Sequence, residues 1–411
     1  MNLNLKTLNP SILLLFLIVS IVFSSCNNKK KTKKNAILSQ ISLINKLESD
    51  TTNIPSEYLF DSIEYVPLET KKNSLFARID QLEITKEHYY ILDKVGSSIL
   101  KFDKSGKFCF RIKSSGISSF LLDEKSERIT FLDDHLSRFY VYNLEGKLIN
   151  SGPRKFEFSS TVALPSGNLA FYRYYSHSDE EKKSKELYNL LITDTAFNFK
   201  SQYMAYNPKA IGYNELYTPK STFFRSQQDI FYINPGTYII YQMADDKPVP
   251  AFGIELDDQY ALPEGFAGAE NWCGKRMDYL SRNKSKIFYI EYFYKLNNLV
   301  FFRLTGMNVE FNCIYQLDNG KMLSLDNIVF GEQSHFLPIG DEVLGVDEHA
   351  IYRSESAEIL FNYKKKRGDT FDIHGIPLRL KDFFLKQNNL SNPVLIKIKP
   401  KKINLTNIFK P

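Results

Sequence analysis

The sequence repeats itself with a period of about 40 residues, and this repeat restricts the possible folds more than any other feature of the chain. Residues 83–112 and 120–152 match nearly turn for turn. Each has a strand, a polar turn, an apolar strand that ends in Leu-Asp, a second polar turn, an aromatic strand, a Gly-Lys turn and a last strand. Four antiparallel strands at this period are typical of a propeller blade.

Looser copies of the repeat follow along the chain. They lie at 162–204, with a charged insertion at 178–185, and at 223–256, 290–327 and 336–356. The last copy supplies only two clear strands, and an open ring would expose sheet edges. Residues 61–70 and 392–400 are strand-like, and either can close the ring by adding a strand to the last blade. We therefore predict an all-β fold, a six-bladed β-propeller with four-stranded antiparallel blades.

Two stretches are predicted as short helical insertions. Residues 377–390 begin with Pro377, which suits the first turn of a helix, and carry an apolar face formed by Leu380, Phe383 and Phe384. Residues 267–283 carry a face formed by Cys273, Met277 and Leu280. This second stretch interrupts the repeats, so it should lie over one face of the ring, either as a lid that holds Trp272 in a pocket or as an element packed on the rim. Amphipathic spacing by itself favours the rim.

The N-terminus has the pattern of a secretory signal. Lys6 precedes the apolar run 11–23, which is shorter than the roughly 20 residues that span a bilayer. The run ends in Phe23-Ser24-Ser25-Cys26, which resembles a bacterial lipobox, in which the cysteine is acylated and becomes the first residue. We predict a lipoprotein signal peptide at 1–25, lipid attachment at Cys26, a tether at 26–56 and the propeller at 57–411. The alternative is an ordinary cleaved signal in which Cys26 has no role.

The positive charge of the chain lies in its N-terminal segment. The net charge of +6 equals the number of lysines before residue 35, namely Lys6, Lys29, Lys30, Lys31, Lys33 and Lys34. The folded domain is therefore neutral, which disfavours nucleic-acid binding. Lysines beside a lipid anchor suit anionic head groups, and a solvated spacer is an equally good interpretation.

The three remaining cysteines show no zinc-site spacing. Cys109 and Cys313 lie in strand-like stretches, so both are predicted to be buried. A disulfide between them is possible in an oxidising compartment, and the sequence alone does not decide it.

Several short segments resemble a known family. They are Tyr65-Val66-Pro67-Leu68-Glu69-Thr70, Ile91-Leu92-Asp93, the blade core 99–107 and Asn392-Pro393-Val394-Leu395-Ile396. Together they resemble the six-bladed β-propeller lipoproteins of Bacteroides and its relatives, which share their architecture with NHL-repeat and TolB-like propellers. Many members have a Gly-x-Gly-Pro-Gly-Glu-Tyr stretch after the first blade, where this chain has 114–120, Ser-Ser-Gly-Ile-Ser-Ser-Phe. The resemblance implies a fold and a location but no activity.

The sequence contains six histidines, and a metal on the propeller axis would need several of them to converge. His88 and His349 fall in turns after a first strand, whereas His135 falls in a turn after a second strand. Those turns lie on opposite faces of the ring. We therefore interpret the histidines as polar turn residues and predict no metal site and no cofactor. The acidic pairs Asp133-Asp134, Asp245-Asp246 and Asp257-Asp258 are likewise interpreted as turn residues.

Two hypotheses for function remain. The first is a lipid-anchored module of the cell envelope that binds or scaffolds a protein or a glycan, since no catalytic motif is present and Tyr and Phe are abundant. The alternative is a propeller-type hydrolase or lyase with its active site in the axial funnel. Surface-exported lipoproteins of these bacteria resemble one another in having acidic residues after the cysteine. This tether is basic, which favours a periplasm-facing position over the cell surface.

Overall fold

The structure, a computed structural model, describes residues 42–44, 53–177, 181, 186–211, 215–216, 220–402 and 405. The predicted signal peptide, Cys26 and most of the predicted tether lie outside these residues. Most of the charged insertion at 178–185 lies outside them as well.

The described residues form six antiparallel blades around an axis, which confirms the predicted propeller. The first described elements are β1 (Ser42–Ile44), β2 (Ile54–Pro55), the short helix α1 (Ser56–Leu59) and β3 (Phe60–Pro67). From the axis outward, blade 1 consists of β4 (Gln81–Ile84), β5 (His88–Asp93), β6 (Ser98–Asp103) and β7 (Phe108–Lys113). Blade 2 consists of β8 (Ile117–Asp123), β9 (Arg128–Asp133), β10 (Arg138–Asn143) and β11 (Leu148–Pro153). Blade 3 consists of β12 (Ser160–Ala163), β13 (Leu169–Tyr172), β14 (Leu187–Thr193) and β15 (Phe199–Tyr206).

The second half of the ring follows the same order. Blade 4 consists of β16 (Phe223–Ser226), β17 (Asp229–Ile233), β18 (Ile239–Ala244) and β19 (Lys247–Ile254). Blade 5 consists of β20 (Ile287–Leu296), β21 (Leu299–Gly306), β22 (Glu310–Gln316) and β23 (Met322–Ser324), and β24 (Ile328–Val329) follows it. Blade 6 consists of β25 (Gly345–Val346), β26 (Ile351–Glu355), β27 (Val394–Pro400) and the N-terminal β3.

Both ends of the described chain close the ring in blade 6. β27 pairs with β26 on one side and with β3 on the other, and Ile396 lies opposite both Arg353 and Tyr65. The two segments that the sequence offered for closure are therefore both used. The closure removes two sheet edges that would otherwise be open.

Two short segments before β3 also pair with the propeller. β1 runs parallel to β19 on the outer edge of blade 4, and β2 runs parallel to β24. Both lie within the predicted tether at 26–56. Residues 42–44 and 54–55 therefore contact the rim of the ring.

Three longer helices lie in connections between strands: α2 (Arg276–Arg282), α3 (Ala357–Arg367) and α4 (Leu378–Lys386). Short 3-10 turns occur at Glu270–Trp272, Leu325–Asn327, Glu332–Ser334 and Gly368–Thr370. In the part of the chain that the structure describes, no helix has the length and apolar character needed to cross a membrane.

The helix predictions are only partly confirmed. α4 buries Leu380, Phe383 and Phe384 as predicted. The helix predicted over 267–283 is restricted to α2, because Gly274 adopts a positive φ of +70° that ends any helix from the N-terminal side. α3 was not predicted from the sequence.

The cysteines differ from expectation. Cys313 is buried as predicted, but Cys109 is exposed, because it points outward between two inward phenylalanines on the outer strand β7. Both thiols are free, and they lie in blades 1 and 5, so the possible disulfide between them is not formed.

The apolar core lies between neighbouring blades, and the two faces of the ring differ. Face A carries the turns after the first and third strands, such as 85–87 and 104–107 in blade 1. Face B carries the turns after the second strands and the connections between blades, such as 94–97 and 114–116. The long segments 255–286, 325–344 and 356–393 all depart from face B.

Candidate functional site

An axial channel with a polar lining lies at the centre of the described ring. It has a volume of about 90 Å³ and is lined by the first strands of all six blades together with the segments that lead into them. Serine and threonine hydroxyls come from blades 2, 3 and 4, charged side chains from blades 1, 4, 5 and 6, and tyrosines from blade 5. The lining therefore offers hydrogen-bond donors and acceptors to a ligand from every direction.

An arginine and a glutamate meet across the channel near face A. Arg225 of blade 4 donates a hydrogen bond from Nη2 to the Ala163 carbonyl oxygen of blade 3, at 2.8 Å. Its Nε lies 3.9 Å from Oε2 of Glu83 in blade 1, which is opposite in the ring. Burial raises the pKa of Glu83, and Arg225 and the neighbouring Gln81 amide oppose that shift. The two side chains narrow the channel at this end.

Charged residues also surround the mouth of the channel on face B. Arg78 Nε lies 2.7 Å from Oδ1 of Asp80, and Lys220 pairs with Glu342. The other Asp80 oxygen accepts the backbone N–H of Lys94 at 2.8 Å. Burial lowers the pKa of Lys94, against the attraction of Asp80. At this end the channel therefore carries two ion pairs, Arg78–Asp80 and Lys220–Glu342, and a third cation, Lys94.

Two buried arginines support the wall between blades 5 and 6. Arg303 Nη1 lies 3.3 Å from Oε2 of the channel residue Glu291, and Arg303 also reaches Asp341 at 3.2 Å. Arg353 donates from Nη1 to the Gly340 carbonyl oxygen at 3.1 Å. These contacts hold the segment before β25 against the channel.

The tyrosines of blade 5 are fixed by hydrogen bonds. Tyr294 donates to the Leu344 carbonyl oxygen and Tyr292 to Oδ1 of Asn312, both at 2.9 Å. Burial raises the pKa of each phenol well above its usual value. Both therefore line the channel as neutral rings with fixed orientation.

The histidines lie on the faces of the ring that the order of the strands predicts. His88 and His349 are on face A, in blades 1 and 6, and His135 is on face B. His349 is exposed and lies 3.9 Å from Glu348, and His88 lies beside the ring of Tyr90. Among the described residues no group of three His, Cys, Asp or Glu is arranged to hold a metal ion.

Two of the acidic pairs bond to a neighbouring turn or connection through their side chains. Asp133 is fully buried and accepts the backbone N–H groups of Ser115, Gly116 and Leu136 at 2.8, 3.2 and 2.9 Å. These bonds and the Ser114 and Ser115 hydroxyls lower its pKa, although burial opposes the shift. Asp246 accepts from Ser166 and Asn168, both at 2.6 Å, and so joins the turns of blades 3 and 4.

The insertion at 255–286 packs on the ring through an aromatic cluster. Trp272 lies 5.0 Å from both Phe266 and Tyr279, measured between ring centroids. Arg276 is buried beneath them and pairs with Glu215. Trp272 is therefore held within the insertion itself.

The residues that line the channel were not predicted from the sequence. The signal was present: the first strand of each repeat carries polar residues where an ordinary inner strand would be apolar, as at Gln81, Glu83, Ser119, Arg225 and Glu291. In its own repeat, each of these polar residues looks like an ordinary half-exposed position of a strand. Their convergence becomes visible only when six first strands surround one axis.

Comparisons with known proteins support the fold. The crystal structure of a protein from Bacteroides fragilis is similar, with 18% identity, a TM-score of 0.67, and coverage of 88% of this chain and 100% of that one. The crystal structure of a DUF4221 family member from Bacteroides vulgatus has 12% identity, a TM-score of 0.44, and coverage of 84% and 100%. No curated protein matches the sequence significantly. A family model described as a domain of unknown function, DUF4934, matches residues 38–399. The chain therefore belongs to the DUF4934 family.

Proposed function

We propose that this protein is a binding module of the bacterial cell envelope, anchored by lipid on Cys26, which holds a protein or glycan partner at the mouth of its axial channel. The lipobox-like Phe23-Ser24-Ser25-Cys26 supports the anchor. The similar Bacteroides fragilis protein is described as a presumed exported protein, which agrees with a place outside the cytoplasm. The basic segment after Cys26 favours a membrane leaflet that faces the periplasm.

The observation that carries the proposal is the lining of the channel. Clefts with a few convergent polar groups on a rigid scaffold are the usual form of a ligand site. Here all six blades contribute, and the ion pairs of Asp80, Glu83 and Glu342 hold the lining in place. Binding would need little rearrangement of these groups.

Site-specific cross-linking in the native envelope tests the position of the partner. Benzoylphenylalanine replaces Ser221, which lines the channel, or Phe199, which is 63% exposed on the outer strand of blade 3. We expect a cross-linked partner from position 221 and none from position 199. Cross-links from both positions, or from 199 alone, would place the partner elsewhere.

The anchor has its own test. Cells fed an alkyne fatty acid should label the wild-type protein and leave Cys26→Ala unlabelled. Equal labelling of the two would exclude Cys26 as the attachment point.

A hydrolase or lyase is the second candidate, and Glu83 favours it. Burial raises the pKa of this carboxyl in the channel, which is the usual setting of a general acid. Release of reducing ends from envelope polysaccharides by the wild type, with loss of release in Glu83→Gln, is the expected result for an enzyme. A wild-type protein that binds the polysaccharides without cleaving them would rule this candidate out.

A further inference from the structure

We propose that the mouth of the channel binds an acidic saccharide, with a carboxylate of the sugar held by Lys94 and by the hydroxyls of Ser118 and Ser119. This inference rests on the proposed binding function and names the ligand class of the same site. Three features lead to it: a lysine of the lining that has no ion pair among the described residues, a bulge in blade 2, and the buried hydroxyls that the bulge presents.

The charged side chains of the lining differ in whether they have an ion-pair partner. Each acidic residue that lines the channel has a basic partner within 4 Å: Asp80 with Arg78, Glu83 with Arg225, Glu291 with Arg303 and Glu342 with Lys220. Lys94 also lines the channel, but within the described ranges its ammonium group has no ion pair. An anion beside it would offset the loss of hydration that lowers its pKa. A ligand carboxylate at this position would therefore supply the ion pair that Lys94 lacks.

Blade 2 presents two serines at the same end of the channel. In the pairing of β8 with β9, Ile117 lies opposite Asp133 and Phe120 lies opposite Phe131, so Ser118 and Ser119 together face one residue of β9. This is a β-bulge, a feature that commonly redirects side chains at functional sites. It occurs in the segment 114–120, where the chain departs from the glycine-rich stretch of similar propellers.

The bulge is held from two sides. Asp133 binds the backbone at 115 and 116 before it. The Gln81 amide binds Phe120 after it, donating to the carbonyl oxygen at 2.8 Å and accepting the backbone N–H at 3.2 Å. Gln81 thus acts as a positioning residue that ties the bulge to blade 1.

The hydroxyls of the bulge lack protein partners. Ser119 is only 7% exposed, and within the part of the chain that the structure describes neither it nor Ser118 makes a side-chain hydrogen bond. A buried hydroxyl without a partner is unfavourable by about 1–3 kcal/mol. Both serines line the same cavity as Lys94, and the turn of Lys94 is joined to this segment by the bond from Ser114 N to Ser97 O at 3.2 Å.

The remaining lining suits a sugar ring. The paired carboxylates at the mouth can accept bonds from sugar hydroxyls, and the fixed rings of Tyr292 and Tyr294 offer an apolar wall. An ammonium with two hydroxyl donors matches the acceptor oxygens of a carboxylate. Uronate residues carry both kinds of group in one ring.

Calorimetric titration of the full chain tests the inference. The probes are trisaccharides of galacturonate, glucuronate or mannuronate, each compared with its methyl ester, which differs only in lacking the charge. At least one acid should bind, with its ester weaker by at least about tenfold. Lys94→Met should lose that preference, whereas Lys86→Met, at an exposed lysine on face A, should keep it.

A second variant tests the hydroxyls. Ser118→Ala with Ser119→Ala should weaken the acid by at least about tenfold, with unchanged thermal unfolding as evidence of an intact fold. An acid and ester of equal affinity, an acid preference that survives Lys94→Met, or no binding of any trisaccharide would each overturn the inference. The binding function is judged separately by the cross-link from position 221, so a partner captured there without uronate binding would leave that function standing.

Discussion

Asn392 joins the two ends of the propeller through its side chain. Its Oδ1 accepts the backbone N–H of Phe76 at 3.0 Å, and its Nδ2 donates to the carbonyl oxygens of Glu69 and Ser74, both at 2.9 Å. Glu69 in turn donates from its backbone to the Gly106 carbonyl oxygen at 2.8 Å. The motifs that resemble other propellers, 65–70, 99–107 and 392–396, therefore meet at one place. Residues of these motifs form the hydrogen bonds that join blades 6 and 1, which explains why their types matter.

We expect Asn392→Ala to destabilise the protein by about 2–4 kcal/mol, because it removes three hydrogen bonds and leaves the Phe76 N–H and the Ser74 carbonyl oxygen without their partner. Urea unfolding followed by circular dichroism measures the change. Asn388→Ala is the matched control: its side chain binds one backbone N–H in an exposed turn, so the loss should stay below about 1 kcal/mol. Equal losses in the two variants would contradict the role given to Asn392.

His177 is a neutral histidine in the connection between β13 and β14. Its Nδ1 lies 2.7 Å from the Tyr206 hydroxyl and its Nε2 lies 3.2 Å from the Tyr188 carbonyl oxygen, which fits a ring that accepts at Nδ1 and donates at Nε2. Burial lowers its pKa to about 4, and Arg173 adds to the shift while Glu181 opposes it.

This pKa predicts a pH-dependent stability. The unfolded histidine binds a proton as pH falls through about 6.5, whereas the folded one does so only near pH 4. The free energy of unfolding should therefore be at its full value above pH 6.5 and fall by about 3 kcal/mol as pH decreases to 4.

Urea titrations at several pH values compare the wild type with His177→Gln, whose amide can both donate and accept. The variant should lose less stability than the wild type over this pH range. An identical pH dependence in the two proteins would show that His177 has the same pKa in the folded and the unfolded chain. Measurement above pH 7 provides the control, since it reports the effect of the substitution without the protonation.

At the scale of elements, the insertion at 255–286 shows why amphipathic spacing predicted a helix that is too long and has the wrong buried face. The apolar positions suggested a face with Cys273, Met277 and Leu280, yet α2 buries Arg276 and Leu280. Arg276 can be buried because it donates to the Phe266 carbonyl oxygen at 2.7 Å and pairs with Glu215. A charged residue at a core position has no signal in a hydrophobic pattern. Its partner Glu215 lies about 60 residues away in sequence.

The same limit explains the missed helix α3. It buries only Ala357 and Leu360, and its C-terminal half is the basic run Lys364-Lys365-Lys366-Arg367. Its start is marked by Ser356, whose hydroxyl accepts the backbone N–H of Ile359 at 3.2 Å. A search for capping residues, rather than for an apolar face, would have found it.

Arg276→Met should release the insertion while the blades stay folded. The change leaves Glu215 without its cation and backbone carbonyls without a donor, which weakens local packing by about 3–5 kcal/mol. Trp272 is the single tryptophan of the chain, so its fluorescence reports on the insertion alone. We expect a red shift of its emission and faster thermolysin cleavage within 255–286.

Arg282→Met is the control for this variant, because Arg282 is exposed and its ion pair among the described residues is with Asp278 on the same helix, at 3.0 Å. It should show wild-type emission and cleavage. If Arg276→Met did the same, the insertion would be held by its aromatic cluster and not by the buried arginine.

At the scale of the whole molecule, repeat and ring could be predicted but the channel could not. The match between 83–112 and 120–152 contains the strand order of a blade, and the strand-like ends at 61–70 and 392–400 contain the closure, so both are local properties of the sequence. Glu83 and Arg225 belong to opposite blades, and their contact depends on how six sheets surround the axis. No single repeat encodes that arrangement, which is why the candidate site emerged only from the structure.

The ring is closed by the pairing of β3 with β27. We therefore expect a disulfide between these two strands to stabilise the protein more than a disulfide within one blade. Ser62 and Lys399 are exposed cross-strand neighbours in β3 and β27, a suitable geometry for a disulfide. Ser62→Cys with Lys399→Cys encloses nearly the whole ring and should stabilise by about 6 kcal/mol, through lower entropy of the unfolded chain. Tyr188→Cys with Ala205→Cys, cross-strand neighbours within blade 3, should contribute only about 3 kcal/mol. Urea unfolding of oxidised and reduced forms, in a Cys109→Ser, Cys273→Ser background, measures both, and an equal gain would mean that the ends separate before the ring unfolds.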